Sequence, residues 1–521
     1  RSRRQRKMCI RDSLSTAPNS IITNCIIGRD QLGNDLGNGW NGIFIWKAQN
    51  PTVENNLVVD NGKTGPTPDF ISGIRYQEIS SGIINQNYIG TDILKSNSGN
   101  AFDGVTLHTS VSNVTVTNNV ICYNGFSSSH GSGGGLAVRS ASSNITISSN
   151  FIGGHPDLTS GGNNDYGISI EDSYNNIIGG NTPLDGNFIG FHNDRALWIS
   201  FGSSINNEVY NNVITSNAGA GVEIANGANE NIIGALNKGN NILQNQYGIL
   251  ADASGSVQNT LRYNSFSCNT LQGISLQNGG NNNYGNAATL KNILINSSEL
   301  RTNFISGVAP SAGATVDIYV ADNTCPMACD NSINQGATMV ASVTASSTPN
   351  SKGTYFWEYD FVNGGNLVNK NNAIVLATEN GVAGQVNTSE FSICAKLCNA
   401  PINSAINTNN LNICAGQNTV LTANSNGKDA SEGYSYNWYL GPINSSNKVS
   451  YGIDDSTYAA TQAGVYTVVI SSQLDSASCS DTTTTATVVV NSLPTINITS
   501  PSTTMCAGDS LLLNAGTSGS N

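Results

Sequence analysis

His108, Arg139 and Glu171 stand 31 and 32 residues apart, an imidazole, a guanidinium and a carboxylate recurring at nearly one interval. Side by side, these types can move a proton, hold an anion or simply pair charges. Trp46 and Gln77 extend the series upstream, and Trp198 follows 27 residues after Glu171. Indole faces beside hydrogen-bonding side chains suit an extended sugar chain, apolar on its ring faces and polar at its edges. Glycoside hydrolysis needs two carboxylates about 5 to 9.5 Å apart. Glu171 and Asp172 point to opposite faces if one strand carries both, and Glu223 lies two repeats on. Elimination needs a base, for which Arg139 is the candidate, and a cation at the uronate; no cluster of Asp ligands for Ca²⁺ flanks it. The plainer reading, a solvated face whose opposite charges pair for a few tenths of a kcal/mol, is preferred.

These residues share a position in a repeat. A small residue followed by an apolar strand opener occurs at Gly42-Ile43, Gly73-Ile74, Gly104-Val105, Gly135-Leu136, Gly167-Ile168, Ala196-Leu197, Gly221-Val222, Gly248-Ile249 and Gly273-Ile274. Successive markers are 31, 31, 31, 32, 29, 25, 27 and 25 residues apart. The first and third residues after each marker are apolar in nearly every repeat, and strand alternation turns those inward. The fourth then faces out, giving the file Trp46, Gln77, His108, Arg139, Glu171; Trp198 is a second-position residue on the same side. A parallel file of Asn, from Asn56, Asn87, Asn119 and Asn150 through Asn187 and Asn212 to Asn241 and Asn264, has the same period. Two interleaved files imply at least two strands per coil.

Self-similarity at this period denotes a solenoid. The segments between strands are Gly, Asn and Ser, which exclude helical repeats and a leucine-rich return helix. Propeller blades need about 40 to 45 residues. A parallel β-helix remains, with Asn stacked as amide ladders at the turns and Gly supplying positive φ at the bends. Asn-x-Ile-Gly-Gly at Asn176, Tyr88-Ile-Gly-Thr-Asp and the Asn-x-x-Gly-Val pattern resemble the right-handed parallel β-helix repeats of secreted bacterial proteins with the pectin-lyase-like fold. That resemblance covers roughly residues 14 to 290. It implies an all-β chain and, for the enzymes of the fold, polysaccharide chemistry along one face; one fold hosts many functions.

The chain has 521 residues, 11% of them charged, and a net charge of −12. Residues 1–13 contain six basic side chains and one acid, so the remainder is more acidic still. An acidic body argues against a nucleic-acid partner. The basic opening breaks in composition with the rest of the chain and resembles translated adapter or vector sequence, in preference to a polybasic targeting signal. No apolar run reaches the roughly 18 residues of a membrane span. No cofactor motif is present: Gly131-Ser-Gly-Gly-Gly135 lacks the Lys and the strand–helix context of a phosphate loop.

The period is lost after residue 292. Residues 293–400 read as a β-sandwich, with strands at Thr315–Val320, Met339–Val343, Tyr355–Tyr359 and Ala373–Ala377. Its end, Asn387–Ser392 before Cys394, resembles the sandwich that often follows such helices. Cys325 and Cys329, with Cys394 and Cys398, form two Cys-x3-Cys pairs. A zinc site is the sharper reading; disulfides are preferred for an exported chain, with one bridge joining the two pairs. Cys25, Cys122 and Cys268 sit singly in strand-like runs and read as small buried hydrophobes.

Residues 401–492 resemble an immunoglobulin-like sandwich, with Trp438 on the buried-Trp strand and Tyr466 in the place of a tyrosine corner. The residue two after Tyr466 is Val468 and not Cys. Cys414 is expected to pair with Cys479. Cys506-Ala-Gly repeats Cys414-Ala-Gly 92 residues later, so residues 493–521 read as the truncated start of a second copy, as in adhesive and gliding surface proteins of Bacteroidetes type. The expected function is that of a secreted or cell-surface structural and binding protein, non-catalytic, contacting extracellular polysaccharide or a surface glycan along the Trp46–Trp198 stripe. The alternative is a polysaccharide lyase or glycoside hydrolase.

Overall fold

The structure is a computed structural model. It describes residues 12–283 except 31, 64–70 and 126–132, and, between 294 and 518, the strands and much of their connecting chain.

Each coil of the solenoid contributes to three parallel sheets, one more than the two sequence files required. Sheet A has ten strands, all of four residues; sheets B and C have nine each, of two to four. Sheet A begins with Asp12–Ser15, paired in parallel with Ile43–Trp46, one coil before the first Gly-apolar marker. Ile43, Ile74, Val105 and Leu136 lie directly in register, as do Ile45, Tyr76, Leu107 and Val138. All eight are fully buried in one continuous core.

The marker glycines owe their place to close approach, and positive φ occurs elsewhere. A Cβ built on Gly73, Gly104 or Gly135 falls 2.6 to 2.8 Å from the carbonyl oxygen of the next coil's marker, a clash that strand-to-strand spacing cannot relieve. Ala196 fills the equivalent position in one coil, fully buried. At the bends, glycines supply positive φ at the ends of several strands of sheets B and C, at Gly28, Gly90, Gly153, Gly179 and Gly234. Non-glycine residues supply it elsewhere: Lys47, Glu78, Thr109, Ser140 and Asp172 after sheet A strands, and Asn55, Gln86, Asn118 and Ser149 between sheets B and C. The left-handed Asp172 ends its strand at Glu171, so the two carboxyls are not opposite members of one strand.

Buried side-chain amides stack at all three corners. Between sheets B and C each Nδ2 donates to the next Oδ1, Asn56 to Asn87 at 3.0 Å, Asn87 to Asn119 at 2.9 Å and Asn119 to Asn150 at 3.0 Å. The file reaches Asn264 through Asn240 at 2.8 Å, and not through Asn241, which lies in the neighbouring strand. A second file runs Asn61, Asn100, Asn124, Asn163 and then His192, whose Nδ1 accepts from the Asn163 backbone at 3.1 Å. A third passes through Asn176, Asn207, Asn231 and Asn259. Each amide satisfies backbone groups that a buried corner would otherwise strand.

The last coil is closed by the following segment. Residues 303–348 and 354–395 belong to the same compact unit as the helix. Their main sheet orders Thr338–Thr344, Thr315–Val320 and Ala373–Thr378 in antiparallel pairs. Tyr319, Ile374, Leu376 and Phe391 join the helix core. All three open sheet edges find partners: Leu276 N donates to Glu390 Oε1 at 2.7 Å, Leu261 N to Thr388 Oγ1 at 3.0 Å, and Phe266 N to the Gly336 carbonyl at 2.9 Å. Gln335 accepts from Asn269 Nδ2 at 2.9 Å and so terminates the second amide file. Unpaired edges invite further strand addition, and this segment blocks it.

The cysteine expectations need correction here. Cys268 is bonded to Cys325, 57 positions away in sequence, fastening the closing segment to the last coil. Cys268 is therefore no lone hydrophobe, and Cys325 neither bridges to 394 or 398 nor supplies a zinc thiolate. The side chain of Cys329, and Cys394, Cys398 and Cys479 entirely, lie outside the described residues. Cys122 is buried as expected.

The second compact unit spans 396–521 with two short connecting segments. It holds a three-stranded and a five-stranded sheet around Leu421, Trp438, Tyr466 and Val468. Tyr466 Oη donates to the Gln462 carbonyl at 3.1 Å. Thr495–Thr499 and Asn514–Ser518 form a separate antiparallel pair. Cys414 makes no disulfide among the described residues.

Candidate functional site

Parallel register makes the outward file of sheet A a physical row. Trp46, Gln77, His108, Arg139 and Glu171 are direct neighbours coil to coil, and Trp198 neighbours Ser169 in the adjacent row. The sequence thus assembled the row correctly, but its centre is not solvated.

Arg139 is only 7% exposed. Its Nη1 donates to Asp103 at 2.8 Å, its Nε to Glu171 Oε1 at 2.9 Å and its Nη2 to Tyr166 Oη at 2.5 Å. Asp103, fully buried, also accepts from Tyr166 Oη at 2.7 Å, Thr106 Oγ1 at 2.8 Å and Gly134 N at 3.0 Å. Ser169 Oγ donates to the Glu171 oxygen that Arg139 uses, at 2.6 Å. Burial alone would lower the Arg139 pKa, but the Asp103 carboxylate, the Tyr166 hydroxyl oxygen and the Glu171 carboxylate outweigh it and hold the guanidinium protonated. Arg139 thus stands as a cation between two carboxylates, and a lost proton would leave both facing a neutral group.

Asp103 and Tyr166 escaped the sequence reading, although both carry a legible signal. Each immediately precedes a marker glycine, and that column (Ser72, Asp103, Gly134, Tyr166, Arg195) is polar or small where a strand would be apolar.

His108 is half-buried at the edge of this network. Its Nδ1 meets Thr109 Oγ1 at 2.5 Å, and burial, followed by the Arg75 and Arg139 charges, lowers its pKa to about 4. The imidazole is therefore neutral near pH 7. Arg75 is likewise lowered, first by burial and then by Arg139; its Nη2 donates to Gln77 Oε1 at 3.0 Å. Trp46 is 37% exposed and donates from Nε1 to Glu78 at 2.8 Å, with the Lys47 ammonium 4.6 Å from its ring centroid.

A second charged group surrounds Trp198. The Arg195 guanidinium lies 4.9 Å from its ring centroid and pairs with Glu223 at 3.1 Å and Asp194 at 2.5 Å. Trp198 and Glu223 are register neighbours. Burial raises the Glu223 pKa against the opposing Arg195, and Asp194, Asp252 and Asp165 add to the rise. Among the described residues, no group of three or more His, Cys, Asp or Glu is placed to hold a metal ion, and no helix is long and apolar enough to cross a membrane.

Together these features define an all-β protein built on a parallel β-helix with smaller antiparallel sheets after it. No family model matches the chain, and no curated protein matches it. Among solved structures, a double mutant of the periplasmic alginate epimerase AlgG matches at 16% identity and a TM-score of 0.26, covering 45% of this chain and 47% of that one. A single mutant of the same epimerase matches at 13% identity and a TM-score of 0.29, covering 51% and 70%. The match to the double mutant thus spans about half of its length.

Proposed function

We propose that this chain is an extracytoplasmic binding protein, non-catalytic, whose β-helix contacts an extracellular polysaccharide or surface glycan along the outer face of sheet A. The observation that carries the reading is the engagement of the face's most reactive side chains with one another. Arg139 is enclosed by Asp103, Glu171 and Tyr166, leaving Trp46, His108 and Trp198 to offer contact area and neutral hydrogen bonding. A disulfide between separate elements supports an oxidising compartment. We read the second unit, with its buried Trp438 and the Tyr466 hydroxyl bonded four residues back, as an immunoglobulin-like module suited to surface display.

Incubation with pectate and alginate, scored for retention and for new chain ends, tests this. Retention without turnover is expected, reduced about fivefold in Trp198→Ala, in keeping with one aromatic contact of about 1 kcal/mol. Turnover that disappears in His108→Ala, or no retention of either polymer, contradicts it. A glycoside hydrolase reading has one observation in its favour, the raised Glu223 carboxyl beside Trp198. Loss of a measured hydrolysis in Glu223→Gln would establish it.

A further inference from the structure

The outer face of sheet C carries an apolar side chain on six successive coils. Its strands are short, so one residue points into the core and its predecessor points out. The outward residues stack in register as Leu57, Tyr88, Val120, Phe151, Phe188 and Val213. Phe151 and Phe188 are stacked at 6.2 Å. The outward file of sheet B is mixed, with Thr52, Thr115, Thr146 and Glu208 among Ile21, Ile83 and Ile177, and it carries no aromatic ring.

A groove of about 350 Å³ runs over part of this file, with Tyr88, Val120 and Phe151 in its floor and Pro156 at one end. One wall is the bend between sheets B and C, where Asn55, Gln86, Asn118 and Ser149 all have φ near +55°. That conformation throws one polar side chain per coil out beside the apolar floor. Asn55, Gln86 and Asn118 are exposed. Ser149 Oγ donates to the Leu184 carbonyl at 2.9 Å, so the following turn adjoins this wall. None of the lining residues is charged at neutral pH.

We propose that this groove binds a neutral, extended glycan lying along the helix axis. Aromatic and aliphatic side chains in the floor match the apolar faces of sugar rings, and the carboxamide row offers a donor and an acceptor at each coil. Repetition at ~4.8 Å places Tyr88 and Phe151 roughly 10 Å apart, the scale of a disaccharide in an extended chain. The absence of lining charge selects against uronates, which would seek cations. The file is one side chain wide, too narrow for the roughly 800 Å² per partner of a stable protein interface. This site is separate from the face of sheet A and does not depend on it.

The test uses the full chain, titrated calorimetrically with cellohexaose and with chitohexaose, and with oligogalacturonate as the charged control. One or both neutral hexamers bind and oligogalacturonate does not displace them. Phe151→Ala and Tyr88→Ala each weaken binding tenfold or more. Should either floor variant fail to fold, Gln86→Ala, which removes an exposed side chain, is expected to weaken binding about threefold. Three results overturn the proposal: neither hexamer binds; binding survives both floor substitutions, or Gln86→Ala where they do not fold; or binding is lost only in Trp198→Ala. A dimer in sedimentation equilibrium that dissociates in Phe151→Ala, with no hexamer bound, assigns the file to self-association and also overturns it.

Discussion

The outer faces of sheets A and C are made by the same coils under the same register, yet they use opposite chemistry. On sheet A, charged residues converge on Arg139 and are drawn out of solvent, with Asp103 fully buried beneath them. On sheet C, the rings of Tyr88 and Phe151 remain partly exposed on either side of a buried Val120, beside a row of amides. Loop length accounts for much of this. The residues just before two marker glycines, Asp103 and Tyr166, reach Arg139 on sheet A. In the coils around the groove, the turn between sheets B and C is a single left-handed residue and an Asn, as at Asn55-Asn56, Gln86-Asn87 and Asn118-Asn119; only from residue 180 does a longer turn, through Pro183–Asp185, intervene. Reactive side-chain types in a row therefore mark a structural network, and the open surface lies where no reactive type occurs.

The largest expected effect comes from breaking the sheet A network. Arg139→Ala leaves the Asp103 carboxylate buried without its cation, which costs about 3 to 5 kcal/mol. Denaturant unfolding should show the shift; a midpoint within error of the parent would mean the charges are solvated after all. Next is the Cys268–Cys325 clasp, whose removal in Cys268→Ser should cost about 2 to 4 kcal/mol and raise proteolysis of the segment after residue 303. Equal protease sensitivity in parent and variant would show that edge pairing alone holds that segment.

A smaller, pH-dependent effect belongs to His192. Burial lowers its pKa to about 3, against 6.5 for the free side chain. The unfolded chain therefore binds the proton more readily, and stability contributed by the neutral ring is complete above about pH 6.5. It is lost as pH falls towards 3, by about 1.4 kcal/mol per unit. His192→Asn restores the amide of the file and should flatten the stability slope between pH 6 and 4; an unchanged slope refutes the assignment. The smallest effect is at sheet C, where Phe151→Ala should change stability by about 1 kcal/mol or less, since the ring packs against Phe188 on an open face. A loss several times larger would make it a core residue.

Sheet A was legible in the sequence because a glycine forced by coil-to-coil approach precedes an alternating strand of four, so each opener announces its own register. Sheet C was legible through the Asn file, since a short apolar pair such as Tyr88-Ile89 follows most of its members; sheet B, marked by no file of its own, was the one missed. Asn240 and Asn241 show the limit of that file, since in a row of adjacent asparagines only the three-dimensional corner selects the one that turns inward. The residues from Trp46 to Glu171 do lie in one register row, but of these Arg139 is buried, enclosed by Asp103 and Tyr166 from the positions before the marker glycines. The closing segment looked like an independent sandwich because its contacts with Asn269, Leu261 and Leu276 join residues more than sixty positions apart.

Paired double-mutant cycles put the contrast between the faces to its most direct test. Asp103→Asn with Arg139→Met measures the coupling on sheet A, and Phe151→Ala with Phe188→Ala the coupling on sheet C, both by equilibrium unfolding. The account predicts about 3 kcal/mol for the charged pair, at the upper end of measured couplings, and about 1 kcal/mol or less for the rings. A charged-pair cycle that closes to within roughly 0.5 kcal/mol, as for independent sites, would contradict it.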